Sequence, residues 1–364
     1  MKPEQLAVAG VKGLTPYQPG KPISELEREL GITNIVKLAS NENPLGPSPK
    51  ALQAIASLLS ELHLYPDGGG FALKASLSRH LSVLPEQITL GNGSNDVLDI
   101  IGRAFLGPGT AAVFSQHAFA VYPIVTQAVG AESRVAAARD YGHDLAAMAE
   151  RVDEAVKVVF IANPNNPTGT QLGKAELYEF LKAVAPRCVV VVDEAYIEYA
   201  DSPDFPNALD WLAEFDNLVV TRTFSKAYGL SGLRVGYAVS SPAVADLLNR
   251  VRQPFNVNSL ALAAAAAALD DTAHLERTRV LNQQGMAQLT GAFEARGLTY
   301  IPSSGNFVTV DVGRPAGPVY QALLREGVIV RPVGNYGMPQ HLRVTIGTEA
   351  ENQVFLDALD RVLA

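Results

Sequence analysis

The chain has 364 residues, more than one ordinary core accommodates, so a large and a smaller domain are the starting expectation. Hydrophobic residues make up 48 %, enough to fill both, while a formal charge of -8 and an isoelectric point near 5.3 leave no basic face for a nucleic-acid backbone. A single cysteine, Cys188 in the apolar run CVVVV, excludes a disulfide framework and reads as a small buried hydrophobe.

The amino terminus, MKPEQLAVAG, lacks the basic flank and apolar stretch of a signal peptide. The longest apolar run, residues 260–269, is mostly alanine and far short of the ~20 residues that span a bilayer. A soluble cytoplasmic protein with no membrane attachment and no metal site is the expectation.

Residues 1–36 are rich in glycine and proline at VKGLTPYQPGKP and then carry a short helical pattern, ISELEREL, that starts at Ser24 and stops at Gly31. Such an arm cannot bury a core by itself and is expected to lie across the body of the protein or a second subunit. A strand over 35–38 leads to ASNENPLGPSP, a rigid polar loop that suits the lip of a site; an ordinary interdomain turn would carry the same residues. A helix over 49–62 follows, and LYPDGGG breaks it, leaving Tyr65 as the one large side chain with a polar tip there.

A strand over 88–90 runs through GNGSND into the helix VLDIIGRAF. Unpaired amides at such a helix start attract anions, and Ser94 and Asn95 are placed to add side-chain bonds. The loop is not a dinucleotide fingerprint, because Asp96 stands where the third glycine of G-x-G-x-x-G belongs. A strand–helix unit over 111–127 carries Phe119 and Tyr122, rings that suit core packing or a stack against a planar ligand. The strand over 156–162 ends in NPNNPTG, whose turn chemistry lines a cleft with amide groups, Asn166 among them. A helix over 174–184 and a strand over 189–192 come next, and Asp193, Glu194, Ala195 and Tyr196 follow directly.

Four valines in a row make 189–192 a strand buried on both faces, so the carboxylate at its end must meet a cation or suffer heavy desolvation. A pyridinium nitrogen is one such cation; a plain capping aspartate is the alternative. The next strand ends in TRTFSKAYGLSGLR, residues 221–234. Burying Lys226 there is costly unless it condenses with an aldehyde cofactor. Thr223, Ser225 and Arg234 would then donate to a dianionic phosphate, with Gly229 and Gly232 letting the backbone turn close to the ligand. An isolated Ser-Lys pair would equally suit a surface lysine.

The strand ends at Ala162, Val192 and Thr221, with the loop after Leu90, are expected on one edge of a parallel sheet, where ligands sit in open α/β folds. Past Tyr237 the strand–helix alternation fades, and one long helix from Ser259 to about Arg296 leads into an α+β tail. There Arg331 and Arg343 flank the loop PVGNYGMPQ on or beside short strands, although plain surface charges would need no further role.

Taken in order, GNGSN, NPNNPTG, DEAY, TFSKAYGLSGLR and LRVTIGT resemble the fold-type I pyridoxal-phosphate aminotransferases. YQPGKPISELERELG, KLASNENPLGPSP, YPDGG and VIVRPVGNYGMP look like that family's histidinol-phosphate branch, so the resemblance spans nearly the whole chain. It implies an α/β fold with a mostly parallel central sheet, helices on both faces, and a smaller α+β domain built from both chain ends. The implied boundaries are 1–36 for an arm, 37–58 with 257–364 for the small domain, and 59–256 for the large cofactor-binding domain.

The resemblance further implies that pyridoxal 5'-phosphate is bound, with Lys226 condensing with its aldehyde, Asp193 pairing with the ring nitrogen, and Asn166 and Tyr196 bonding the phenolic oxygen. Ser94, Asn95, Thr223, Ser225 and Arg234 would hold the phosphate, Tyr65 would reach it from the neighbouring subunit of a homodimer, and Phe119 would stack on the ring. Tyr17, Asn43, Arg331 and Arg343 would meet the substrate, Arg343 as the anchor for a carboxylate or phosphate. Two departures stand out: Asn95-Asp96 where many members have Asp-Glu, and HAF where they have a Pro-Thr-Tyr or Pro-Thr-Phe run. The implied activity moves an amino group from L-histidinol phosphate to 2-oxoglutarate in histidine biosynthesis. An aromatic amino-acid aminotransferase and a threonine-phosphate decarboxylase are the alternatives. A cofactor-holding regulator would need a DNA-binding module for which this acidic chain has no length to spare.

Overall fold

The segments VKVVFIA, VVVVD and LVVTRT lack polar alternation, as strands covered by helices on both faces must. In the computed structural model, which describes residues 2–364, they lie at the centre of the molecule. In chain order the strands are β1 (Val36–Lys37), β2 (Ile88–Gly91), β3 (Ala111–Ser115), β4 (Glu132–Ala136), β5 (Val156–Ala162), β6 (Val189–Asp193) and β7 (Leu218–Thr223). They continue with β8 (Gly236–Ser240), β9 (Tyr300–Ile301), β10 (Phe307–Asp311), β11 (Val328–Ile329), β12 (Arg331–Pro332) and β13 (His341–Thr345).

Seven of these form one sheet in the order β2-β8-β7-β6-β5-β3-β4. Strand β8 is antiparallel to both of its neighbours, β2 and β7, and the other pairs are parallel. Six strands therefore point the same way, and the carboxyl ends of β2, β5, β6 and β7 share one edge. Val190 and Val192 join the core on one face of the sheet and Val189 and Val191 the core on the other, which is the period-two alternation of a doubly covered strand. Helix Ser94–Phe105 covers one face through Val97, Ile100 and Ile101; helix Lys174–Val184 covers the other through Leu177 and Leu181.

A second, antiparallel sheet, β12-β13-β10-β9, has its own core of Leu289, Phe293, Val308, Leu342, Val344 and Phe355. A parallel pair, β1 with β11, ties the amino-terminal strand to this smaller body.

Three expectations change. The single helix read from Ser259 to Arg296 is two, Ser259–Leu269 and Thr272–Ala295, because Asp271 turns its side chain onto the His274 amide and starts a new helix. The strand–helix alternation goes one step further than expected, through β8 and helix Pro242–Val251, which Ser241 caps. The boundaries near 58 and 257 also move: helix Pro49–Leu58 and the alanine-rich Ser259–Leu269 pack in the large-sheet core, where Ala51, Ala261, Ala264, Ala265 and Ala268 are all buried. Small side chains allow that close approach, and helix Thr272–Ala295 then crosses to the smaller body. Among the described residues no helix is long and apolar enough to cross a membrane.

Candidate active site

The shared strand edge opens on a cavity of about 200 Å³. Its wall gathers Tyr17, Ser94, Asn95, Phe119, Asn166, Asp193, Tyr196, Thr223, Ser225, Lys226, Arg234, Arg331 and Arg343 from both bodies.

One end is built for an anion. Helix Ser94–Phe105 begins there, with its first amides unpaired within the helix. Arg234, at φ 58, brings Nη1 to 3.3 Å from Ser225 Oγ and 2.9 Å from the Ser231 carbonyl. Gly93 makes room: a Cβ there would lie 2.6 Å from Arg234 Nη2.

The middle of the cavity offers a negative charge. Asp193, 4 % exposed at the end of β6, accepts from the Tyr122 hydroxyl at Oδ2 and from Thr221 Oγ1 at Oδ1, both at 2.9 Å. Burial nevertheless pushes its carboxyl up to about 6, so a cation placed at that point would favour its ionised form.

Lys226 lies on the loop between β7 and β8, its Nζ donating to the Ser40 carbonyl at 2.9 Å. Burial, reinforced by Arg343, pushes its ammonium down to about 7. A neutral, nucleophilic amine is therefore well populated near physiological pH. The Tyr196 hydroxyl accepts from Asn41 Nδ2 at 2.9 Å and Asn166 Nδ2 at 3.2 Å. With both lone pairs occupied, and burial pushing its pKa up to about 12, it keeps its proton and presents it as a donor.

At the other end, Arg343 is 7 % exposed and donates through Nη1 to Asn166 Oδ1 and through Nη2 to the Ala39 carbonyl. Its Nε is buried, with no hydrogen-bond partner among the described residues. Arg331 pairs with Arg343 in register across β12 and β13 and rests over the Tyr17 ring at 5.7 Å while bonding the Gln18 carbonyl. The arm is thereby drawn over the cavity mouth.

Two expected residues lie elsewhere. Asn43 points away from the cavity, its amide nitrogen bonded to the Ala227 carbonyl at 2.9 Å and Thr278 Oγ1 at 3.0 Å, so it ties down the lip. Asn41, at φ 55, takes the inward position instead. Tyr65 is 83 % exposed and stacks on Phe255 at 4.9 Å, outside the cavity. Phe119 does line the wall, held edge-on by Tyr122 at 5.9 Å. Reading the residues also missed Tyr122 as a partner of Asp193; its phenol had to find a polar partner once the ring was buried.

The arrangement accepts a planar ligand with a dianion at one end, a cationic ring atom against Asp193, an oxygen against Tyr196, and an electrophilic carbon within reach of Lys226. The chain belongs to the class I and II aminotransferases, the family whose description, "Aminotransferase class I and II", matches residues 33–359. Across 364 residues it is 64 % identical to "Histidinol-phosphate aminotransferase 2" of Methylococcus capsulatus, covering 98 % of each chain. It is also 64 % identical over 361 residues to the protein of the same name in Pseudomonas aeruginosa, covering 99 % of this chain and 98 % of that one. The crystal structure of histidinol-phosphate aminotransferase from Sinorhizobium meliloti in complex with pyridoxal-5'-phosphate superposes with a TM-score of 0.90 at 28 % identity, covering 98 % of this chain and 96 % of that one.

Proposed function

We propose that this chain is a pyridoxal-5'-phosphate-dependent transaminase that moves the amino group of L-histidinol phosphate to 2-oxoglutarate in histidine biosynthesis. The observation that carries the chemistry is the meeting, in one cavity, of Lys226 near its neutral form, the buried carboxylate of Asp193 and the anion cradle at Ser94, Ser225 and Arg234. The substrate assignment rests on 64 % identity to the named relatives over nearly the full chain.

The residues fit the cofactor. Ser94, Asn95, Thr223, Ser225 and Arg234, which line the cavity, would hold its phosphate, Asp193 its ring nitrogen, Asn166 and Tyr196 its phenolic oxygen, and Phe119 would cover the ring. When bound, the cofactor supplies the electron sink for charge that develops at the amine-bearing carbon of the substrate. Asp193 would keep a proton on the ring nitrogen by pairing with its positive form. Lys226 Nζ would provide the covalent attachment and, as a free amine, would take up and return the proton at the reacting carbon. Arg343, which lines the far end of the cavity, would anchor the substrate's anionic group, and Arg331 would draw the Tyr17 arm over it to exclude water. Two planar guanidinium groups suit a pocket that must take a phosphate in one half-reaction and a dicarboxylate in the other.

The same reading carries a cytoplasmic location and a homodimer in which Tyr65 reaches the partner's phosphate. Its outward position supports that role, as do Leu62, Leu64 and Phe71, which lie exposed close by in the chain. Sedimentation of a fully active monomer would remove the Tyr65 role.

The decisive experiment is the half-reaction: the purified, cofactor-loaded protein is mixed with one amine at a time and conversion to the pyridoxamine form is followed spectroscopically. Histidinol phosphate is expected to be the fastest donor. Faster conversion by phenylalanine or tyrosine would overturn the substrate assignment, and release of carbon dioxide would overturn transamination.

A further inference from the structure

Asp96 stands in the first turn of helix Ser94–Phe105, where a free carboxylate would repel an anion in the same cradle. Its charge is turned aside: Oδ2 accepts from the Asn92 amide and from Asn256 Nδ2, each at 2.8 Å. Asn256 Nδ2 also donates to the Leu90 carbonyl at 3.1 Å, bracketing the strand end and the loop that aims the cradle amides. Arg252 completes the link, giving Nη1 to Asn256 Oδ1 at 2.7 Å and Nη2 to the Gly68 carbonyl at 2.9 Å. Gly68 is in the turn that follows Tyr65, and Phe255, between Arg252 and Asn256 in the chain, is the ring on which Tyr65 stacks.

We propose that Asn256 and Arg252 are positioning residues for the cofactor phosphate, fixing both the cradle of their own subunit and the Tyr65 loop that it offers to the partner. The proposal rests on the cofactor and dimer reading above. Asn92 and Gly93 join β2 to the cradle helix, and Gly93, at φ 87, leaves that joint loose unless something outside it sets its direction. The Asp96–Asn256 pair grips the joint at Leu90 and Asn92, and Arg252 offsets the charge of Asp96 from one hydrogen bond away. The cradle and the Tyr65 loop therefore move together.

The test titrates cofactor-stripped protein with pyridoxal 5'-phosphate and, separately, with pyridoxal, which has no phosphate; absorbance of the bound aldehyde gives each Kd, and melting of the stripped protein confirms folding. Wild type is expected to prefer the phosphorylated form strongly; binding of neither would overturn the cofactor reading and this inference with it. Asn256→Ala is expected to lower that preference about tenfold, the scale of one charge-assisted hydrogen bond, while pyridoxal affinity stays within about twofold. Equal loss for both ligands, or an unchanged preference, would sink the proposal without touching the cofactor reading. Arg252→Met, which keeps the stem and removes both links, is the second variant and is expected to act in the same direction. Combined with Tyr65→Phe, its effect should be less than additive; strict additivity would break the connection to the Tyr65 loop.

Discussion

The hydroxyl of Tyr122 donates to Asp193 Oδ2 at 2.9 Å, on the opposite carboxylate oxygen from Thr221. Two neutral donors thus partly offset a burial that still leaves the carboxyl at about 6. Tyr122→Phe deletes one donor and keeps the ring that stacks on Phe160 at 4.8 Å. The Asp193 pKa of the cofactor-free protein then rises further, and because the ring nitrogen is met by the ionised acid, the acid limb of pyridoxal 5'-phosphate binding by the stripped protein moves to higher pH by about 0.5–1 unit. The pH profiles of the two proteins check this. Superimposed acid limbs would show that Tyr122 serves packing alone.

Lys226 yields a second pH prediction. Its ammonium, pushed down to about 7, must lose a proton before it attacks an aldehyde, so cofactor capture by the stripped protein speeds up as pH rises towards 7 and levels off above it. Arg343 is the second cause of the depression, after burial. Arg343→Met should therefore raise the lysine pKa and shift the plateau to higher pH. Stopped-flow absorbance across pH 5.5–9 reads both curves; a rate that does not depend on pH, or a shift in the opposite direction, contradicts the argument. Lys226→Ala should fold normally, lose covalent attachment, and lose at least about 10²–10⁴-fold in turnover.

Much of this arrangement was legible in the sequence because it depends on local chemistry. β5 and helix Lys174–Val184 run between the residues their β-branched and helical patterns mark, and β6 extends one residue beyond its valines to include Asp193. The inward choice between two asparagines in ASNEN was not legible. Asn41 is turned into the cavity by contacts from the far end of the chain: its amide donates to Thr345 Oγ1 at 2.9 Å, and its carbonyl accepts from Asn306 at 3.1 Å. Nothing local distinguishes it from Asn43. The alanine-rich helix was equally opaque, since a segment apolar on every side gives no sign of which body it joins. Tyr65 presents the converse case, a polar-tipped ring that is exposed and is not among the residues lining the cavity.

Gly93 allows the anion cradle to be tested without touching any group that bonds the ligand. At φ 87, alanine is strained there, and its Cβ would meet Arg234 Nη2 at 2.6 Å. Gly93→Ala should cost about 1–2 kcal/mol of stability and, by displacing Arg234, weaken pyridoxal 5'-phosphate more than pyridoxal. Gly313→Ala serves as the control, because Gly313 also has a positive φ, 67, but a Cβ there meets nothing within 4 Å. It should lower the melting temperature and leave both affinities unchanged. If the two variants changed the affinities equally, Gly93 would not be acting through Arg234.

Arg343→Lys separates geometry from charge at the substrate end. The arginine gives Nη1 to Asn166 and Nη2 to the Ala39 carbonyl while lining the cavity. A lysine carries the same charge but cannot span both acceptors in one plane. The KM of the amine donor and of the keto acid should both rise, about 30–1000-fold for the loss of a buried charged contact, with kcat less affected. Arg331→Lys should be milder, because Arg331 is only half buried and its recorded contacts, the Gln18 carbonyl and the Tyr17 ring, are on the arm. Steady-state kinetics with each substrate varied in turn separates these outcomes. Should Arg343→Lys raise the KM of one substrate alone, the two substrates do not share this anchor, and the second anion would have to be met by Arg331 and the arm it holds.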